Sequence, residues 1–170
     1  TGEGIIVSLT AKNIRSLLHY SLAVLIIGIY GGQVCPLVET LSLGKWITQL
    51  FVIFSILYFI RFLVLNKVVK GSPHHFQANH QFVLELLIFI LIGFTISFVN
   101  TILYGFPTVE SGLKIVLGVV TIGFLASVDL SLERERQVFK DLEKTGQEIH
   151  LDDSYFPVTR KFAIVTATAA

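Results

Sequence analysis

Charge is scarce in this chain. Only 15% of its 170 residues are Asp, Glu, Lys or Arg, where a soluble domain carries about 25%. Cysteine is scarcer still. Cys35 stands alone, so no internal disulfide can form, and no metal-site spacing surrounds it; it reads as a packing residue. There is no Walker-type phosphate loop, no nucleophile elbow and no HExxH motif, which removes three familiar signatures of nucleotide, ester and peptide chemistry. Internal repeats, low-complexity tracts and a cleavable signal are also missing. No catalytic residue, no cofactor, no metal and no nucleic-acid partner is expected.

Apolar side chains fill the space that charge leaves. The chain is 53% hydrophobic with 14 Phe, and its mean hydropathy is +0.74. Four runs stand out, Ser16–Cys35, Trp46–Leu65, Phe82–Tyr104 and Ser111–Val128. Each is long enough to cross a hydrocarbon core of about 30 Å as a helix. Lipid admits only helices or closed barrels, and the strict alternation of a barrel strand is absent. The expected fold is an all-α integral membrane protein. Residues 1–128 form a bundle of four transmembrane helices, 129–161 a cytoplasmic helical connector, and 162–170 the start of a fifth helix. That last run is too short to span, and the chain begins with Thr, so the protein is expected to be a piece of a longer one.

Lysine and arginine orient the bundle. Eleven of the 13 basic residues fall in alternate segments: Lys12 and Arg15, then Arg61, Lys67 and Lys70, then the six from Arg134 to Lys161. Lys45 and Lys114 are alone on the other side. The positive-inside rule places the N-terminus and the 129–161 segment in the cytoplasm of a multi-pass cell-membrane protein. Tyr30, Trp46 and Tyr104 then fall at the outer interface. The stretch IIVSLTAKNIRS ahead of the first run is expected along the inner interface.

Ionisable residues inside the runs are costly in lipid and so carry information. His19, Arg61, Glu85 and Asp129 each lie within about 10 Å of the cytoplasmic edge, counting 1.5 Å per helical residue. Four helices thus bring one such group each to a single layer. Arg61 and Glu85 sit at matched depth on consecutive antiparallel helices, and a salt bridge between them is expected. In the outer half, Asn100 and Thr101 are candidates for a helix contact. The sequence HHFQANH places His74, His75 and His80 close together; it reads as a short interfacial loop, not a metal site. Haem held by His19 and His80 is a minor alternative.

The charged segment after Val128 reads as an amphipathic stalk continuing the fourth helix. Asp129–Lys144 has no Gly or Pro, and Leu132, Phe139 and Leu142 mark its packing face with Val138 beside them. Glu133–Arg136 and Lys140–Glu143 are opposite charges three apart. Gly146 is a plausible stop.

The segments GFLASVDLSLERERQVF and YFPVTRKFAIVTATAA resemble the N-terminal membrane region of bacterial multidomain signalling receptors. In those proteins a membrane part precedes a HAMP linker and an adenylate or guanylate cyclase or a histidine kinase. The resemblance covers about residues 129–170 and implies a membrane sensor and anchor whose output domain follows Ala170. It carries no functional residue over. The alternative is a subunit or fragment of a transporter, channel or larger membrane complex. Expected partners are the lipid bilayer, and either a second copy or other membrane helices. The ligand is unknown.

Overall fold

The computed structural model describes residues 2–68 and 74–145. Four long helices dominate: α1 (Gly2–Val34), α3 (Leu43–Val68), α4 (His74–Tyr104) and α5 (Leu113–Thr145). A one-turn α2 (Pro36–Glu39) joins the first pair, and a π-helical turn, Thr108–Gly112, precedes α5. No strand occurs among the described residues. Four stretches are apolar and long enough to cross a membrane: Ile14–Gly31 in α1, Leu43–Leu65 in α3, Gln77–Tyr104 in α4, and Val109–Val138, which starts in the π-helical turn and runs on in α5. The start of a fifth helix at 162–170 lies outside the described residues, as does the connector beyond Thr145.

Successive helices run antiparallel in a closed ring, with α1 packed on α3 and α5, and α4 on α3 and α5. Leucine and phenylalanine cover the outside; Leu25, Phe51, Phe59, Phe94 and Phe98 are each more than half exposed. In water such a surface would aggregate, but in lipid it is the solvated face. Burying apolar area gives no drive between helices already in hydrocarbon, so the bundle depends on close packing and polar contacts.

Glycine provides the close packing between α4 and α5. A Cβ at Gly123 would stand 2.2 Å from Phe89 Cβ, and one at Gly93 would stand 3.2 Å from Val116 Cα. The centre of the bundle is aromatic. Tyr20 of α1 meets Phe89 of α4 at 4.9 Å and Tyr58 of α3 at 5.1 Å between ring centroids. Phe54 packs edge-on to Tyr20 and Phe89.

Three expectations change. HHFQANH is not a loop: His74–His80 is the first part of α4. The helix-breaking Gly71 and Pro73 stand just ahead of it, and a proline is well suited to a helix start. The stretch IIVSLTAKNIRS belongs to the same continuous helix as the first span, rather than forming a separate interfacial segment. Trp46 is 2% exposed, held inside the bundle and not on an interfacial belt. Its ring fills the space that Gly31 of α1 leaves open.

Candidate functional site

The polar layer lies at one end of the bundle, where α1 and α4 begin their spans and α3 and α5 end theirs. It has two parts that differ in burial.

The inner part is centred on Arg61 of α3 and Glu85 of α4. Glu85 is fully buried and Arg61 is 4% exposed. Arg61 Nε donates to Glu85 Oε1 at 2.9 Å and Oε2 at 2.8 Å, and Nη2 also donates to Oε1. Tyr20 of α1 donates its hydroxyl to Glu85 Oε2 at 3.0 Å. Arg61 Nη1 reaches Ser16 Oγ at 3.4 Å, and Ser16 meets the Tyr58 hydroxyl at 3.3 Å. The Arg61 guanidinium also lies 5.5 Å from the ring centroids of Tyr20 and Tyr58, within cation–π range. Three helices thus converge on one buried charge pair. A pair of this kind is justified energetically only when extra hydrogen bonds satisfy both ions, and here Tyr20 and Ser16 supply them.

The outer part joins α1 to α5. Arg15 grips Asp129 with both arms of its guanidinium, Nε to Oδ2 at 3.0 Å and Nη2 to Oδ1 at 2.8 Å. Its remaining Nη1 donates to Glu133 Oε2 at 2.8 Å. Asp129 and Glu133 are four residues apart, so both face α1 from one side of α5. His19, one turn after Arg15, adds a contact from Nε2 to Asp129 Oδ2 at 3.1 Å. Its Nδ1 lies 2.9 Å from the Arg15 carbonyl oxygen. Both ring nitrogens of His19 thus lie within hydrogen-bonding distance of an oxygen. The side chains of this clamp are 42% exposed at Arg15, 38% at Asp129 and 26% at Glu133.

All four residues singled out in the sequence therefore lie at this end, as two pairs: Arg61 with Glu85, and His19 with Asp129. Tyr20, Arg15 and Glu133 complete the arrangement and were not singled out. Two i,i+4 pairs, Arg15–His19 and Asp129–Glu133, were readable as complementary faces. Tyr20 gave no such sign, because an uncharged phenol in an apolar run reads as packing.

Further along α5, Leu132 is half-buried and Val138 is buried. The side chains of Phe139 and Leu142 lie outside the described set. Glu133 turns to Arg15 and also accepts from Gln137 Nε2 at 3.2 Å, in place of the expected local pairing with Arg136. At the opposite end, Gln49 of α3 donates to Asn100 Oδ1 of α4 at 2.8 Å. Thr101 bonds back to the Ser97 carbonyl at 3.0 Å and makes no helix–helix hydrogen bond among the described residues. Cys35 Sγ lies 2.9 Å from Ser111 Oγ. Among the described residues no three metal-ligating side chains converge.

Comparison with known proteins gives three findings. Residues 19–170 match the family model MASE10, a membrane-associated sensor domain. A cyclic di-GMP phosphodiesterase of Vibrio cholerae serotype O1 is 24% identical over 127 residues. That match takes in 74% of this chain, which spans only about a quarter, 24%, of the relative's length. No solved structure matches.

Proposed function

This chain belongs to the MASE10 family, and on that premise we propose that it detects a stimulus in or near the bilayer and passes it along α5 to a cytoplasmic output domain. That it is a membrane sensor domain of signalling proteins follows from the family. The route and the output are our reading. The name of the Vibrio relative favours turnover of cyclic di-GMP as the output, ahead of the adenylate cyclase or histidine kinase that the sequence resemblance suggested. A transporter would need a polar path through the bundle, and the Tyr20–Phe54–Phe89 cluster fills that centre.

The observation that carries this reading is the contrast between the two charge groups. Removing one partner of a buried pair such as Arg61–Glu85 costs about 3–5 kcal/mol, so that pair locks α3 to α4. The Arg15 clamp is less buried, with Arg15 and Asp129 more than a third exposed and Glu133 26%, and where such a pair reaches water at the membrane edge it contributes about 0–1 kcal/mol. A contact that weak can open and close without unfolding the bundle. It is also a polar contact between α1 and α5. At 1.5 Å per residue the 33 residues of α5 extend about 50 Å, well beyond a hydrocarbon core of about 30 Å. Movement of α5 at the clamp is thereby delivered outside the membrane, as in other helix-shift switches.

The relay requires the charged end of α5 to face the cytoplasm, as the lysine and arginine distribution indicates. Single cysteines placed at Val109, which is 77% exposed, and at the exposed Lys140, in a Cys35→Ala background, test this with an impermeant thiol reagent on intact cells. Val109→Cys is expected to label and Lys140→Cys to stay unlabelled until the cells are opened. The opposite pattern would place the end of α5 outside the cell and end the relay reading.

A further inference from the structure

His19 of α1 meets an oxygen with each nitrogen of its ring. Nδ1 lies 2.9 Å from the Arg15 carbonyl oxygen, and Nε2 lies 3.1 Å from Asp129 Oδ2 of α5. Neither oxygen has a hydrogen to offer. A carbonyl only accepts, and both arms of Arg15 hold Asp129 as a carboxylate. A neutral imidazole has one N–H and one bare lone pair. Whichever nitrogen carries the hydrogen, the other then turns its lone pair onto an oxygen. Only the imidazolium, with a hydrogen on each nitrogen, meets both oxygens favourably.

The charges at the clamp give an independent reason. Arg15 supplies one positive charge, against the negative charges of Asp129 and Glu133. His19 is the further ionisable side chain in contact with this group, and a proton on it brings the sum to zero. The His19 side chain is only 23% exposed, at the edge of the hydrocarbon, where an unbalanced charge is costly. From α3 and α4, Arg61 and Glu85 neutralise each other, with Tyr20, Ser16 and Tyr58 bound into their network. Gln137, which bonds Glu133 from the next turn of α5, is uncharged.

We propose that closure of the Arg15 clamp takes up a proton on His19, so that the pH at the charged end of the bundle decides how firmly the clamp holds. The closed clamp binds one proton more than the open one. By linkage it is favoured as pH falls and weakened as pH rises, within the range of about pH 5–8 where histidine ordinarily changes charge. Its standing as a stimulus rests on the sensor reading above; the proton coupling itself does not.

The test reads the ring directly. The chain is isotopically labelled at the histidine ring nitrogens and reconstituted in lipid nanodiscs, where nitrogen chemical shifts separate the doubly protonated ring from either neutral tautomer. His19→Gln identifies the His19 signals by subtraction. At about pH 7 the ratio of charged to neutral His19 is expected to fall by about threefold to fivefold in Asp129→Asn, the effect open to a pair this exposed. An equal ratio in the two proteins, or a neutral wild-type ring throughout about pH 6–8, the span of an ordinary histidine titration, would overturn the proposal. A second readout uses spin labels at Leu18, 65% exposed, and at the exposed Lys140, in a Cys35→Ala background. Raising the pH over the same span keeps the carboxylates charged and should shift the population toward longer α1–α5 distances in the parent but not in His19→Gln. A pH response that survives His19→Gln would also overturn it. Coupling seen in both readouts, together with a grafted enzyme that is indifferent to Arg15→Gln in the experiment discussed below, would establish the proton site and remove its signalling role.

Discussion

Arg61→Leu and Glu85→Leu are each expected to destabilise the bundle by about 3–5 kcal/mol, and the double substitution to recover most of that loss. Glu85 has a fully buried side chain and Arg61 one that is 5% exposed. Either single change strands a charge among Tyr20, Tyr58 and Phe89. The double change leaves two leucines in an apolar environment, with the Tyr20 hydroxyl as the one polar group still to be placed. Coupling of this kind is measured by a double-mutant cycle, here from denaturant unfolding in mixed micelles. Losses that simply add would show that the two side chains do not interact.

The second large effect is expected at Gly123. A Cβ there would lie 2.2 Å from Phe89 Cβ and 2.3 Å from Phe89 Cγ. Phe89 is fully buried, and its Cβ is fixed by the α4 backbone, so no rotamer change relieves the overlap. Gly123→Ala must therefore push α4 and α5 apart, and overpacking of this kind costs about 1–3 kcal/mol or more. Gly118→Ala is the control on the same helix. A Cβ there meets nothing, and alanine is the better helix former by about 1 kcal/mol. Thermal unfolding should show a marked loss for the first variant and none for the second. Equal behaviour of the two would mean that α4 and α5 do not approach as described.

The spans were legible because lipid imposes a length and a composition on every crossing segment, and both are local properties of the sequence. Arg61 and Glu85 could be paired from depth alone, since a charge in hydrocarbon needs a partner at its own level. The same reasoning found His19 and Asp129 but stopped short of Arg15, which lies at the membrane edge where an arginine can also reach water unaided. Tyr20 and the buried Trp46 escaped for another reason. Aromatic rings are at home in a helix core and at an interface alike, and only the position of Gly31 opposite the indole decides between them. The start of α4 was misplaced because three histidines in seven residues resemble a polar loop, although nothing after Pro73 breaks a helix.

The most direct measurement concerns the clamp and its output. The chain is grafted in place of the matched segment of the Vibrio cholerae cyclic di-GMP phosphodiesterase, and hydrolysis of cyclic di-GMP is followed in isolated membranes. Arg15→Gln breaks the contacts to Asp129 and Glu133 while costing little stability, because the clamp is screened. Leu25→Ala, at a position 59% exposed to lipid, is the control. If α5 relays the state of the clamp, Arg15→Gln should change the hydrolysis rate measurably, by up to about fivefold, which is the shift that about 1 kcal/mol allows. Protein level and membrane insertion should stay constant, and Leu25→Ala should match the parent graft. An active graft whose rate is the same with Arg15 and with Gln at that position would contradict the relay.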